Sequence, residues 1–450
     1  MRGVLKPAAA LLLVVLLTLF AGCGKKSEKT ESGADKPAAG GKISVGSAVE
    51  PETWNPFLSE QMAVQEVGRL LFAGLLLQND KGEWIPDLAA VVPTTENGGI
   101  SGDGLTITYR LKPNLKWQDG QPLSARDVQF TFDFILRNRG RVAWREGYEK
   151  IQSIAAPDDS TVVIRLSEPY AYVYHLFPNV LPRHRSADFT DVQTQNFNRL
   201  PVGSGPFILK EWRRGDALVF VPNPLYHQGR PLLETLTYKF VTDRQIVLSQ
   251  LKIGEVDIVN NIGFDQLDQV RAVTGVNTFI TPGTIWEHLD FNLDLPLFAD
   301  LRVRQAIALS IDRRDLMEKT LKNAAFPAYT DVHPLSWAYL ALPQQPVRNL
   351  QQAKELLTAA GWKPGYDGIH TLAGRRLSFT LLLPDGDKPR QAVAEAIALQ
   401  LREAGIEMRV QRIAAKTFFG DILPARRFEA VLFAWVNSTE PNPYDLWHSR

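Results

Sequence analysis

Leu105-Thr106-Ile107-Thr108-Tyr109-Arg110-Leu111-Lys112-Pro113-Asn114-Leu115-Lys116-Trp117-Gln118-Asp119-Gly120-Gln121-Pro122-Leu123-Ser124-Ala125-Arg126-Asp127-Val128 is the stretch from which the fold of this 450-residue chain is read. Its first seven residues alternate strictly between apolar and polar, the pattern of a half-buried strand. Asp119-Gly120 is a turn signal. Ser124 with Asp127 three residues on is a capping-box signature. Val128, Phe132, Ile135 and Leu136 then form one apolar stripe at helical spacing. Trp117, following the strand, is read as core.

Outward from this segment, strands and helices mix. Thr161 to Leu166 reads as a strand. Thr235 to Val241 reads as a strand, with Asp243 capping a helix over Arg244–Ile253, Gly254 ending it, and Val256–Val259 a further strand. Leu301 to Ser310 is helical, and Asp312 caps a second helix through Leu321. Leu350, Ala353, Leu356, Leu357 and Ala360 mark a helix stopped by Gly361. Leu377–Leu383 is a strand, Gln391–Ala404 a helix closed by Gly405, Ile406–Ile413 a strand, and Phe428–Val436 an apolar strand leading into a turn-rich loop. Strand–helix–strand units imply parallel strands with right-handed crossovers, hence an α/β fold.

Composition excludes several classes. The chain is 45% hydrophobic and 22% charged with a net charge of +1, so no electrostatic footprint for nucleic acid is present. One Cys and seven His rule out a disulfide framework and a Cys-rich zinc module. No GxSxG elbow, phosphate-binding loop, dinucleotide fingerprint or HExxH occurs. Asp385-Gly386-Asp387 and the Asp158-Asp159 pair read as turns. Neither an enzyme nor a cofactor is implied.

The first residues read as an address. Arg2 and Lys6 precede an apolar run from Ala8 to Phe20, about 20 Å long as a helix at roughly 1.5 Å per residue, against about 30 Å for a bilayer core. That is a signal peptide, residues 1–22. Leu19-Phe20-Ala21-Gly22-Cys23 resembles the bacterial lipoprotein box, which implies cleavage before Cys23 and lipid on its sulfur and amine. Residues 23–42 lack aromatics and read as a flexible tether reaching roughly 25 Å. The mature body is then expected outside the cytoplasm, periplasmic or at the cell surface, held to the membrane by lipid.

The Leu105–Val128 segment is similar to the signature of the family 5 extracytoplasmic solute-binding proteins of ABC importers, the oligopeptide-, dipeptide- and nickel-binding class. Other pieces fall in the family's order: Leu181-Pro182-Arg183-His184, Gly203-Ser204-Gly205-Pro206-Phe207, Asn223-Pro224-Leu225-Tyr226 and Leu251-Lys252-Ile253-Gly254-Glu255-Val256-Asp257. Phe291-Asn292, Leu301 to Ile307 and Ile311-Asp312-Arg313 complete the set. Gly203 and Gly205 are expected to permit a tight turn, and Arg302 and Arg304 to be ion-paired structural groups.

The resemblance implies a two-lobed periplasmic-binding-protein-like fold of the class II type. Lobe one would comprise residues 43–60 and 202–289, with an extra subdomain, 61–201, inserted in it; lobe two would comprise 290–450. The family normally continues past the position of Trp447-His448-Ser449-Arg450, so the chain's return to lobe one is expected to be missing, through a fragment boundary or a shortened gene. The implied function is capture of peptides or peptide-sized solutes in an interlobe cleft and delivery to the permease subunits, by a monomer. A sensor or chaperone-like lipoprotein, or a binder of a nickel chelate or oligosaccharide, are the alternatives. The implied ligand wall comprises Ala48, Val49 and Trp54 in lobe one, Trp286 and His288 before the Phe-Asn motif, and Trp435, Asn437, Ser438 and Glu440 in the late strand and loop. Peptide binders of the family place an Asp in that loop to meet the ligand's amine; Asn437 and Ser438 stand there instead, with Glu440 the nearest acid. No metal site is implied.

Overall fold

A computed structural model describes residues 39–437, apart from 60, 144, 186–196, 198–199, 261, 282 and 342–346. Cys23 with its leader, Ser438 and Glu440 lie outside the described residues.

The opening segment folds as its pattern requires. Thr106–Arg110 is a strand with Ile107 and Tyr109 buried. Gly120 closes the turn at φ +88°, its N–H donating to Trp117 O at 2.9 Å. Ser124 caps the helix Ala125–Arg137, and the Asp127 carboxylate accepts the Ser124 backbone N–H at 2.8 Å. The same carboxylate accepts the Arg183 N–H at 2.9 Å, tying the helix start to a segment 56 residues away. Trp117 is fully buried, an apolar burial of the kind that contributes about 1.5–3 kcal/mol per large side chain.

Two sheets organise the rest. The first has five strands in the order Ile258–Val259, Lys42–Ser47, Thr235–Phe240, Ala217–Pro222 and Phe207–Arg213. Lys42–Ser47 lies parallel to both neighbours, and the remaining pairs are antiparallel. The helix Arg244–Ile253 crosses between two of these strands. Asp243 caps it through Oδ1, which accepts from Gln245 N and Ile246 N, and Gly254 ends it at φ +75°. The second sheet has four strands in the order Ile285–Phe291, Ala430–Val436, Ser378–Pro384 and Glu407–Ile413. The last three are parallel, joined in part by the helix Lys388–Glu403, whose cap is Asp387.

The hydrophobic clusters follow this division. One runs from Val45 through residues between Trp54 and Leu209 to Leu236. A second packs the helices Leu301–Ser310, Leu350–Ala359 and Lys388–Glu403 on one face of the four-stranded sheet. A third, small cluster of Leu382, Phe418, Val431 and Phe433 lies on that sheet's other face.

Several expectations are corrected. Gly203 and Gly205 do not serve a positive-φ turn. They let the chain pass against the end of the helix Met62–Leu71: a Cβ on Gly203 would lie 1.8 Å from Leu71 O, and Gly205 N–H donates to that oxygen at 2.9 Å. The strand expected from Val256 starts only at Ile258, because the Asp257 side chain turns back to accept Ser44 N–H at 2.7 Å. The helix after Asp312 changes to a wider π turn over Leu316–Thr320. Arg302 pairs with Asp300 at 2.7 Å as expected, whereas the Arg304 guanidinium donates to the carbonyls of Phe298 and Ala299.

Candidate functional site

The predicted wall residues fall into two groups. The first is built by two antiparallel strands, Ile285–Phe291 and Ala430–Val436, whose register sets Trp286 opposite Trp435 and His288 opposite Phe433. Side chains alternate along a strand. Glu287, Leu289 and Phe291 therefore share the face that carries the helices, while Trp286, His288 and Asp290 share the other.

On that second face His288 is the centre. Its ring stands 4.5 Å from Trp286 and 4.5 Å from Phe433, and lies nearly parallel to Trp435 at 6.2 Å and 18°. Its side chain is 7% exposed, and Nδ1 pairs with Asp290 Oδ1 at 3.0 Å. A neutral imidazole that donates Nδ1–H to this carboxylate keeps a lone pair on Nε2, and Nε2 has no hydrogen-bond partner among the described residues. Trp435 is 41% exposed, so the cluster presents aromatic surface outward. Such a surface suits planar and apolar groups by stacking and cationic ones through ring quadrupoles.

The opposite face fixes this one. Arg390, at the start of the helix Lys388–Glu403, donates Nε to Glu287 Oε1 at 2.5 Å and Nη2 to Oε2 at 3.1 Å. Burial works against the Arg390 charge, but the Glu287 hydrogen bonds and the nearby carboxylates outweigh it, and its pKa stands raised. Asn437 leaves the strand doubly held: its N–H donates to Thr284 O at 2.7 Å and its Nδ2 to Asp331 O at 2.7 Å. Asn437, read from sequence as a ligand contact, thus uses its amide nitrogen to position the loop around Asp331. The Leu335 carbonyl farther along that loop lies where a Cβ on Gly82 would approach to 2.8 Å, so the loop rests on the turn of the Asn79–Glu83 segment.

The second group lies in the first sheet. Ala48 and Val49 follow the strand Lys42–Ser47 and line a cavity of about 220 Å³ between the helices Arg244–Ile253 and Met62–Leu71. Trp54 is elsewhere: at 1% exposure it sits in the core, edge-on to Trp212 at 5.0 Å. No side chain of the aromatic group lines the cavity. Sequence reasoning placed Glu287 in the wall segment but missed its partner Arg390, 103 residues away, and the cavity residues on Arg244–Ile253; only the apolar spacing of Val247, Leu248 and Leu251 hinted at the latter.

Among known proteins, the family model of the bacterial extracellular solute-binding proteins, family 5, middle region, matches residues 83–450. The chain belongs to this family. The oligopeptide-binding protein AppA of Bacillus subtilis is 30% identical over 458 aligned residues, covering 98% of this chain and 82% of the relative. The structure of that AppA in complex with a nonapeptide superposes with a TM-score of 0.65 at 29% identity, covering 92% of this family 5 chain and 83% of the other. NikZ from Campylobacter jejuni, in complex with Ni(L-His), superposes with a TM-score of 0.67 at 25% identity, covering 89% and 78%. The α/β fold is therefore that of solute-binding proteins. No helix among the described residues is long and apolar enough to cross a membrane.

Proposed function

We propose that this family 5 protein is the extracytoplasmic binding subunit of an ABC importer, taking peptides or peptide-sized solutes and handing them to a permease. It binds without catalysis, as a monomer, tethered by lipid on Cys23. The observation that carries the reading is the aromatic wall of Trp286, His288 and Trp435, held by a two-strand ladder in a chain whose 30%-identical relative is named for oligopeptide binding. Ala48 and Val49 would supply the facing wall, and Ser438 and Glu440 the loop beside it, with Glu440 the acid available to a ligand amine.

A nickel chelate is the second reading, and His288 favours it. An imidazole that gives Nδ1–H to a carboxylate and leaves the Nε2 lone pair unpaired is the usual setting of a metal-ligating histidine, and the Nε2 of His288, buried among the rings, would meet a chelate once a ring beside it turns aside. No group of three or more His, Cys, Asp or Glu gathers among the described residues, so a metal would arrive carrying its own ligands. The test is mass spectrometry of small molecules released from the purified, denatured full chain, with tryptophan fluorescence titrated by oligopeptides and by nickel–histidine. Released peptides and a saturable peptide response support the first reading. A nickel chelate alone, weakened by His288→Ala, replaces it with the second.

A further inference from the structure

We propose that Lys322 is a clasp between the two sheet-centred halves of this molecule, biasing how they sit together before any solute arrives. The inference goes beyond the binding reading above, and its test uses no ligand. Lys322 follows the wide π turn Leu316–Thr320, whose Leu316 is buried in the cluster that packs on the four-stranded sheet. Its partners belong to the other half. The short helix Leu267–Arg271 is anchored by Leu267 and Val270, both buried. Val270 shares a cluster with Leu248 and Leu251, on the helix that crosses between strands of the five-stranded sheet.

Lys322 holds this helix twice. Its ammonium pairs with Asp268 Oδ2, and its carbonyl accepts Arg271 Nη1–H at 3.2 Å. Asp268 and Arg271 are three residues apart on one helix and so are surface neighbours. One residue of the second half thus meets an acid and a cation of a single helical turn in the first.

The backbone is strained at the same point. Lys322 and Asn323 stand at φ +53° and +57°. Asn323 N–H turns back to Met317 O at 2.8 Å, which ends the helical stretch past a left-handed residue. Helices usually place Gly at such an end, because a Cβ is disfavoured in the left-handed region. A lysine there keeps the strain and gains the contact with Asp268, and strain retained in this way points to a function.

The clasp is built weak. The Lys322 side chain is 32% exposed and that of Asp268 63%. Exposed pairs bias an equilibrium without locking it, and salt screens them. A carrier that releases its solute needs an arrangement that is favoured yet reversible. Apparent affinity scales with the fraction of molecules in the binding-competent arrangement, so such a bias tunes affinity as well as geometry. Farther along the same segment, Leu335 O meets the Asn79–Glu83 turn, where a Cβ on Gly82 would come within 2.8 Å. That contact is uncharged, so salt separates it from the clasp.

The test is double electron–electron resonance on the full chain, purified in detergent without ligand. Spin labels go on Ser249→Cys in the helix Arg244–Ile253 and on Lys354→Cys in the helix Leu350–Ala359, both exposed positions. The chain without these two cysteines is labelled alongside to account for Cys23. At low salt, Asp268→Asn and Lys322→Gln should each lower, roughly 2- to 5-fold, the ratio of molecules in the arrangement seen here to those outside it. High salt should do the same to wild type and little to either variant, because a neutralised pair leaves nothing to screen. The double variant should match either single one, since one interaction is lost only once. Two substitutions are used so that a misfolded variant, detected by circular dichroism, does not decide the matter. Distance distributions unchanged in both variants, or shifted by salt equally in all chains, overturn the clasp. A wild-type distribution that lacks the Ser249–Lys354 separation seen here overturns it as well.

Discussion

Glu287→Ala should loosen the aromatic wall without touching it. Glu287 lies on the helix-facing side of the strand that carries Trp286 and His288, and two hydrogen bonds lock it to Arg390. The Arg390 side chain is 13% exposed and that of Glu287 33%, so the pair is neither a surface contact nor a buried one. Exposed pairs contribute about 0–1 kcal/mol, and breaking a buried pair costs about 3–5 kcal/mol. Asp387 remains 3.3 Å from the guanidinium after the substitution and offsets part of the loss. A cost of about 1.5–2.5 kcal/mol follows from these limits. Because multi-lobed chains need not unfold in one step, the assay is local: hydrogen exchange by mass spectrometry on peptides spanning 285–291 and 430–436. Exchange should accelerate roughly 10- to 60-fold there. Glu287→Gln, which retains one acceptor, should fall between. The apolar pair Glu287→Leu with Arg390→Met should recover much of the protection, since neither charge is then stranded. Unchanged exchange in Glu287→Ala, within about a factor of two, would refute the ion pair as the fastening of this strand.

Gly203→Ala should cost about 3 kcal/mol, the upper end for overpacking, because its Cβ meets backbone oxygen that cannot step aside. Gly102→Ala, with nothing within 4 Å of its Cβ, should stay within about 0.5 kcal/mol in the same thermal melts; equal losses would contradict the close approach. Burial, with a smaller contribution from Lys354, lowers the pKa of His370 from 6.5, so its native form resists protonation that the unfolded chain accepts. Stability should therefore hold above about pH 7 and decline as pH falls through 6.5 and on towards the lowered native value. Urea midpoints at pH 7.5 and 5.5 should differ more for wild type than for His370→Asn, and the same difference in both would discard the effect. Cys23→Ser should abolish fatty-acid labelling and move the protein out of the membrane fraction; retention there, with no label on the wild type, would end the lipoprotein reading.

What was legible in the sequence was what local chemistry decides. Asp243 and Gly254 bracket their helix to the residue because a side-chain cap and a left-handed stop act within a turn of the chain. The alternation of Leu105–Leu111 and the box at Ser124 worked for the same reason. Lys388–Glu403 begins three residues before the expected Gln391 because Asp387 caps it and Pro389 fits its first turn. Gly203 was misjudged because its constraint, Leu71 O, lies 132 residues away, and nothing nearby signals it. Trp286 and Trp435 were singled out only through family resemblance; their pairing across two strands is a matter of register that neither strand carries alone. The commitment of the Asn437 amide to Asp331 O and the Glu287–Arg390 pair were invisible on the same grounds.

On the proposed reading, the two walls would divide the work of recognition in a way their construction explains. The aromatic wall is rigid: seven register pairs hold its strands, and Glu287 and Asn437 pin its two sides. A rigid stacking surface reads no particular sequence, because any planar or apolar group gains from it. As a ligand wall it would supply affinity shared by many ligands. The cavity at Ser47–Val49 is different in kind. It is bounded by side chains at fixed positions and has a finite volume, so as part of a ligand wall it would favour groups that fit and leave smaller ones with unfilled space. Substitutions at Trp286 or Trp435 should therefore weaken all ligands together, and substitutions at Val247 or Ala63 should reorder them. Among the described residues the wall's own acids are committed, Asp290 being held by His288 while Glu287 faces the other way, so any charge read there would have to come from the loop that follows.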